Sequence, residues 1–176
     1  MKQGNRENLR DKAGNFLELF TVLSVGFVLL ASEVYRYVYV SRDFWGSTML
    51  IPIFVSSYYT NFLCTFPVNF EYYHKKTKVV SIITIVSSLI NVGLNYLLIL
   101  RIGMAGAAVA TLISHSLQLT LHYLYVRFAL GGKEYPFPLK MWVGYAAVFA
   151  AVAVASVAAD GLWLARWGLG AAVGLW

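Results

Sequence analysis

Five apolar stretches of membrane-spanning length constrain this sequence more than any other feature. A helix needs roughly 20 predominantly apolar residues to cross a bilayer. Stretches of about that length cover residues 15–35, 47–70, 79–100, 104–128 and 141–159, and short polar turns separate them. A sixth apolar segment, residues 160–176, is short and carries Arg166. The sequence therefore predicts an all-α integral membrane protein, with five to six transmembrane helices that follow a polar tail of residues 1–14.

The composition fits a lipid environment rather than water. Hydrophobic residues make up 59% of the chain and charged residues only 12%, whereas about a quarter of a soluble domain is charged. The net charge of +6 does not indicate nucleic acid, because the basic residues lie at the ends of the apolar stretches. A single cysteine, Cys64, excludes an internal disulfide and a cysteine-based zinc motif. The lipid bilayer is thus the first predicted partner.

The distribution of lysine and arginine predicts the orientation. If the stretches cross in alternation, ten of the 14 basic residues lie on the side of the N-terminal tail: Lys2, Arg6, Arg10, Lys12, Lys75, Lys76, Lys78, Arg127, Lys133 and Lys140. The other side has four, Arg36, Arg42, Arg101 and Arg166. Because basic residues concentrate in cytoplasmic turns, we expect a cytoplasmic N-terminus. Acidic residues in and after the tail argue against a cleaved signal peptide: Glu7, Asp11 and Glu18.

Polar residues follow helical spacing in two predicted spans. The third span carries Ser81, Thr84, Ser88, Asn91 and Asn95 at spacings of three or four, and the fourth carries Ala107, Thr111, Ser114 and Gln118. Each stripe either bonds across a packed helix interface or lines a water-filled cavity. Interhelical bonding is the commoner role of such residues. The two asparagines favour a cavity, because an unpaired amide in lipid costs several kcal/mol.

The fifth predicted span carries small residues instead of polar ones. They recur at helical spacing: Gly144, Ala147, Ala151 and Ala155. Such a stripe lets a neighbouring backbone approach closely.

Ionisable residues within spans are functional candidates, because they are costly in lipid. Glu18 lies about a turn inside the first span, and His115 lies near the middle of the fourth. His122 is seven residues further on, about 10 Å along a helix axis, which is too far for the two histidines to share a metal ion unaided. His115 is either a packed, hydrogen-bonded histidine or a cavity residue. Glu71 is expected to be a solvated helix end paired with Lys75.

Catalytic patterns are missing from the sequence. Three widely separated aspartates, Asp11, Asp43 and Asp160, leave no DxD site. Residues 131–133 do not form a phosphate-binding loop, because Arg127 stands where its first glycine is required. We therefore predict a protein that is not an enzyme and needs no cofactor or metal.

Residues 70–122 resemble a known transporter family. The chain has a Lys-Thr-Lys turn at 76–78, then Asn-x-x-x-Asn-Tyr-x-x-Ile at 91–99 and Gly-x-x-Gly-Ala-Ala-x-Ala-Thr at 103–111. In this order and spacing the motifs resemble the C-terminal half of bacterial polysaccharide flippases, the O-antigen and capsule-repeat transporters. That family belongs to the superfamily of lipid II flippases and of multidrug and toxin extrusion transporters. Arg101 departs from the pattern, since many relatives have an apolar residue or proline there.

The resemblance implies a function and a set of site residues. It implies that the chain flips undecaprenyl-diphosphate-linked oligosaccharide across the bacterial inner membrane, for cell-surface polysaccharide synthesis, by alternating access. The implied cavity residues are Ser88, Asn91, Asn95, Ser114, His115 and Gln118. Lys75, Lys76 and Lys78 would meet the diphosphate at the cytoplasmic mouth. Family members have two lobes, so five to six helices imply most of one lobe and a missing N-terminal lobe as partner.

Two other functions stay open at this point. A drug or metabolite efflux transporter of the same superfamily would share these motifs and would be revealed by drug-resistance phenotypes. A membrane scaffold that transports nothing would have Asn91 and Asn95 buried against neighbouring helices. The hydration of the polar stripe distinguishes the scaffold from both transporters.

Overall fold

The structure, a computed structural model, is built from helices. It describes residues 3–38, 50–130, 135, 137 and 139–158, and within these ranges it contains no strand. Five helices follow one another: α1 (Gln3–Val38), α2 (Ile51–Tyr73), α3 (Thr77–Ile102), α4 (Met104–Phe128) and α5 (Leu139–Ala158). The predicted all-α class is confirmed. The predicted sixth segment, residues 160–176, lies outside the described residues.

Three of these helices are long and apolar enough to cross a membrane. They are α3, α4 and the part of α1 that covers Arg10–Ala31. The middle of α2 is more polar than these helices, because one short stretch of it contains Ser56, Ser57, Thr60 and Asn61. We conclude that the protein is membrane-embedded through these apolar helices, and that spans formed by α2 and α5 remain predictions.

The chain divides into two compact units. The first consists of Met1–Arg10 and Ser57–Pro138, and therefore contains α3, α4 and most of α2. The second consists of Asp11–Ser56 and Leu139–Trp176, with most of α1, the start of α2, and α5. All the predicted cavity residues and the three lysines belong to the first unit.

In the second unit, one face of α1 is buried. Its buried residues recur at helical spacing: Ala13, Leu17, Thr21, Ser24, Val25 and Val28. The Thr21 hydroxyl donates to the Leu17 carbonyl over 2.6 Å, which satisfies a buried hydroxyl within the helix itself. Large apolar residues such as Phe16 and Phe27 are exposed on the rest of the helix. A helix with that exposed surface suits a lipid environment.

The small-residue stripe of α5 is exposed where its residues are described. Gly144, Ala147 and Ala151 are exposed, and among the side chains of this helix that the structure describes Phe149 and Ala153 are buried. The side chain of the fourth stripe residue, Ala155, lies outside the described residues. Within the described part of the chain, no neighbouring backbone therefore uses the close approach that this face allows. Spacing identifies a helix face, but it does not tell which face a neighbour covers.

In the first unit, α3 and α4 form a hairpin joined by a single residue. Gly103 has φ +61°, a left-handed conformation that glycine adopts without steric cost. Its N–H donates to the Ile99 carbonyl over 2.9 Å, and its own carbonyl accepts from Gly106 over 2.9 Å. A Cβ on Gly106 would overlap the carbonyl group of Leu98. The predicted tight turn and close backbone contact at these two glycines are confirmed.

Candidate functional site

Asparagines on α3 form a hydrogen-bonded chain that reaches α4. The Asn95 side-chain N–H donates to the side-chain oxygen of Asn91 over 2.9 Å and to its carbonyl over 3.0 Å. The Asn91 side-chain N–H donates to the Ser114 hydroxyl over 3.1 Å. Ser114 in turn donates to the Ala110 carbonyl over 2.8 Å. Three of the predicted cavity residues, Asn91, Asn95 and Ser114, are thus brought together by the α3–α4 hairpin.

The asparagines of this network have hydrogen-bond partners and are still partly exposed on the surface of the helix pair. Ser114 is buried, whereas Asn91 and Asn95 are partly exposed. Within the described residues, no donor reaches the side-chain oxygen of Asn95. Asn91 therefore bonds across the helix pair, as the commoner interpretation of the stripe predicts, whereas Asn95 bonds within α3 and keeps an acceptor for a further donor.

The remaining predicted cavity residues lie apart from this network. Ser88 is exposed and donates to the Thr84 carbonyl of its own helix over 2.8 Å. Gln118 is partly exposed and forms no hydrogen bond with another described residue. His115 donates through Nδ1 to the Ser57 carbonyl on α2 over 2.9 Å. Its ring lies 6.4 Å from that of Tyr58. His115 is thus a hydrogen-bonded histidine that joins α4 to α2.

The prediction for Glu71 is wrong. Glu71 is fully buried, and Nδ1 of the equally buried His122 lies 2.9 Å from each of its two carboxylate oxygens. Lys75, its expected partner, is exposed and forms no ion pair among the described residues. The reason lies in the fold, because α4 places His122 opposite the end of α2. The His122 imidazole is already buried beside the carboxylate, whereas the Lys75 ammonium would have to leave water to reach it.

Burial leaves one atom of this pair without a partner. Nε2 of His122 is buried, and no described residue forms a hydrogen bond with it. Buried polar atoms in proteins are nearly always hydrogen-bonded, so each exception calls for a physical reason. The sequence places Glu71 at the end of the second predicted span and His122 within the fourth. It does not indicate that they pair, because the two residues are 51 positions apart.

Aromatic rings pack beside Glu71, around Tyr135 of the α4–α5 connection. The Tyr135 ring lies 5.1 Å from Phe70, 5.3 Å from Phe137 and 6.5 Å from Tyr123, all in edge-to-face geometry. Burial raises the pKa of Tyr135 above its usual range, with smaller contributions from Tyr123, Cys64 and Glu71. We call these four rings, Phe70, Tyr123, Tyr135 and Phe137, the aromatic cover.

The lysine turn between α2 and α3 is exposed and has a defined backbone. The N–H of Lys75 donates to the Tyr72 carbonyl, and that of Lys76 donates to the Glu71 carbonyl, each over 2.9 Å. These two bonds make a Schellman motif, in which Lys75 takes the left-handed position that is usually glycine, with φ +58°. Lys75, Lys76 and Lys78 are all exposed. They form a cationic surface at this end of the first unit.

Neither a metal centre nor a known relative defines the site further. Among the described residues, no group of three or more histidine, cysteine, aspartate or glutamate side chains could hold a metal ion. No family model matches the chain, and no curated protein or solved structure shows significant similarity to it. The class that fold and site define is an all-helical, membrane-embedded protein with polar and ionisable groups inside its helix pairs.

Proposed function

We propose that this chain is part of a bacterial inner-membrane transporter that flips lipid-linked oligosaccharide for cell-surface polysaccharide synthesis. The motifs at 76–78, 91–99 and 103–111 support the proposal by their resemblance to such flippases. The turn at Gly103 and the contact of Gly106 with Leu98 give a physical reason for the glycine motif. In this proposal α2 and α5 also span the membrane, the N-terminus is cytoplasmic, and a second lobe completes the transporter.

The observation that carries the proposal is the position of Asn95. Its side-chain oxygen can accept a further hydrogen bond, and the side chain is partly exposed on a helix that is otherwise largely apolar on its surface. An amide facing hydrocarbon alone is costly. The hydroxyl groups of a sugar are suitable donors for it, and a hydrated path between two lobes would expose it to them. Gln118 offers a second amide on the facing helix α4.

Binding of a lipid-linked sugar tests this function directly. The full chain in nanodiscs is photo-crosslinked to a polyprenyl-diphosphate oligosaccharide and, separately, to the same polyprenyl diphosphate without sugar. We expect crosslinking to favour the glycosylated lipid, and we expect N95L to remove that preference while V92L, at an exposed apolar position on the same helix, retains it. Equal crosslinking of the two lipids by the unaltered chain would contradict the proposal.

A membrane scaffold is the second candidate, and one specific observation favours it. Asn95 donates to Asn91, and Asn91 donates to Ser114 on the neighbouring helix, which is the arrangement expected of interhelical packing. Single cysteines at Asn95 and Gln118, in a Cys64→Ala background, distinguish the two candidates by their reaction with a membrane-impermeant maleimide. Labelling at both positions, with no labelling at Val92→Cys, supports a hydrated path. Absence of labelling at all three, with labelling of Lys76→Cys in inverted vesicles, supports the scaffold.

A further inference from the structure

The Glu71–His122 pair has two protonation states in which Glu71 is ionised, and each leaves one group unsatisfied. If the imidazole is neutral and Nδ1–H donates to Glu71, the carboxylate charge is fully buried without a counter-charge. Among the described residues, no lysine or arginine forms an ion pair with Glu71. If Nε2 also carries a proton, the imidazolium neutralises the carboxylate, and the new N–H has no acceptor among the described residues.

The second state is the less costly of the two. An uncompensated carboxylate in a low-dielectric interior costs more than one unmatched N–H group. The other titratable groups beside the pair do not change this balance. Cys64 of α2 and Tyr135 of the α4–α5 connection lie near Glu71, Tyr123 of α4 lies beside Tyr135, and none of these side chains can carry a positive charge. A proton on the outer nitrogen of the imidazole is thus the group that balances the buried charge.

We infer that Nε2 of His122 is a proton-binding site, and that the proton bound there holds α2 against α4 through the Glu71–His122 pair. When the proton leaves, the buried carboxylate has lost its counter-charge, and separation of the two helices lets water reach it. The aromatic cover packs beside Glu71 of this pair. This inference goes beyond the proposed function, because it concerns the helix pair itself and holds whichever molecule the chain moves.

Nitrogen NMR on histidine tests the proton site. The full chain, labelled with ¹⁵N-histidine, is placed in nanodiscs, and H74Q and H115Q variants assign the three ring signals. As the pH is lowered, we expect His122 in the unaltered chain to pass from one ring proton to two. In E71Q, which removes the carboxylate charge, we expect the second proton to bind less readily than in the unaltered chain. A His122 ring that carries one proton at every pH at which the unaltered chain stays folded would overturn the inference.

A distance measurement tests the link between α2 and α4. Spin labels at the exposed positions Tyr72 and Arg127 report on the two helix ends, in a Cys64→Ala background. We expect a short, narrow distance distribution at low pH and a longer or broader one at high pH. E71Q should remove the pH response. H115Q is the matched control, because it removes a histidine of the same helix that bonds instead to Ser57, and it should keep the response.

Two further outcomes in the spin-labelled chain, with Glu71 and His122 both present, would overturn the inference. The distance could be independent of pH, or it could change with sodium concentration at constant pH and follow a metal cation rather than the proton. Neither outcome bears on whether the chain binds lipid-linked oligosaccharide, since that is measured separately by crosslinking. Failure of the crosslinking experiment likewise leaves the proton site standing.

Discussion

Gly106 at the start of α4 packs directly against the main-chain carbonyl of Leu98 near the end of α3. An added Cβ would overlap that carbonyl and would lie 2.7 Å from the Ile99 nitrogen, so the atoms in the way belong to the backbone and cannot rotate aside. Asn91, seven residues before Leu98 on α3, meets Ser114, eight residues after Gly106 on α4. The glycine contact therefore sets the separation at which the asparagine network forms.

Substituting Gly106 with alanine should open the hairpin. We expect G106A to lower the free energy of unfolding by about 1–3 kcal/mol, as overpacked sites do, although alanine is the better helix former. SDS unfolding of the purified chain measures this. Gly93 is the matched control, since a Cβ there meets nothing within 4 Å, and G93A should leave stability unchanged or raise it by up to about 1 kcal/mol. Equal effects of the two variants would refute the backbone contact.

Lys75 should be less favourable in its turn than glycine. Its left-handed φ of +58° costs an L-residue roughly 1–2 kcal/mol, offset in part by the greater chain entropy of glycine. We expect K75G to raise the free energy of unfolding by about 0.5–1 kcal/mol. Lys76 has φ −93°, and K76G should give no such gain. The same unfolding assay compares the two variants. A loss of stability in K75G would show that the Lys75 side chain stabilises the protein by more than its left-handed backbone conformation costs.

The bond between Asn91 and Ser114 should contribute a modest coupling energy. Hydrogen bonds between membrane helices average about 0.6 kcal/mol in double-mutant cycles. We expect N91A and S114A to show a coupling energy of about that size, measured from unfolding of the two single variants and the double variant. N91A paired with S116A is the control, because Ser116 donates to the Leu112 carbonyl and is exposed. A coupling energy of zero between Asn91 and Ser114 would show that their hydrogen bond does not stabilise the contact between α3 and α4.

Removing one partner of the buried Glu71–His122 pair should destabilise the protein much more than replacing both partners. H122L leaves the Glu71 carboxylate buried without a partner, and we expect it to lower the free energy of unfolding by about 3–5 kcal/mol. The double variant E71L/H122L replaces both groups with apolar ones and should recover most of that loss. Unfolding in detergent micelles provides the measurement, with H115L as the control for loss of a histidine from α4. A double variant as unstable as the sum of the single ones would argue against a direct pair.

Tyr135 should limit stability at high pH. Because its pKa is raised in the folded protein, the folded state keeps a proton that the unfolded tyrosine loses above about pH 10. Stability should therefore be unaffected below that pH and fall as the pH rises above it, by up to about 1.4 kcal/mol per pH unit. Y135F should show a shallower decline between about pH 9 and 11 than the unaltered chain. Y96F, at an exposed tyrosine, should leave the slope unchanged, and parallel slopes for all three proteins would contradict the prediction.

The helices themselves could be predicted closely. The expected spans 79–100 and 104–128 became Thr77–Ile102 and Met104–Phe128, and the span 47–70 became Ile51–Tyr73. The first helix begins earlier than the predicted span, since Gln3–Val38 includes most of the polar tail. An apolar stretch must satisfy its backbone hydrogen bonds internally, and helix is the local solution. Charged residues mark where lipid ends, but they do not stop a helix from continuing into water.

The sequence by itself determined the all-helical class, the approximate helix bounds and the glycine turn between α3 and α4. Each of these depends on contacts within a few residues, or on a backbone conformation that one residue type permits. Only the tertiary structure decided that Glu71 pairs with His122 rather than with Lys75, and that the small-residue face of α5 is exposed. Those outcomes depend on which helix faces meet. Helical periodicity defines the faces of each helix, but the energy that selects between them comes from residues distant in the chain.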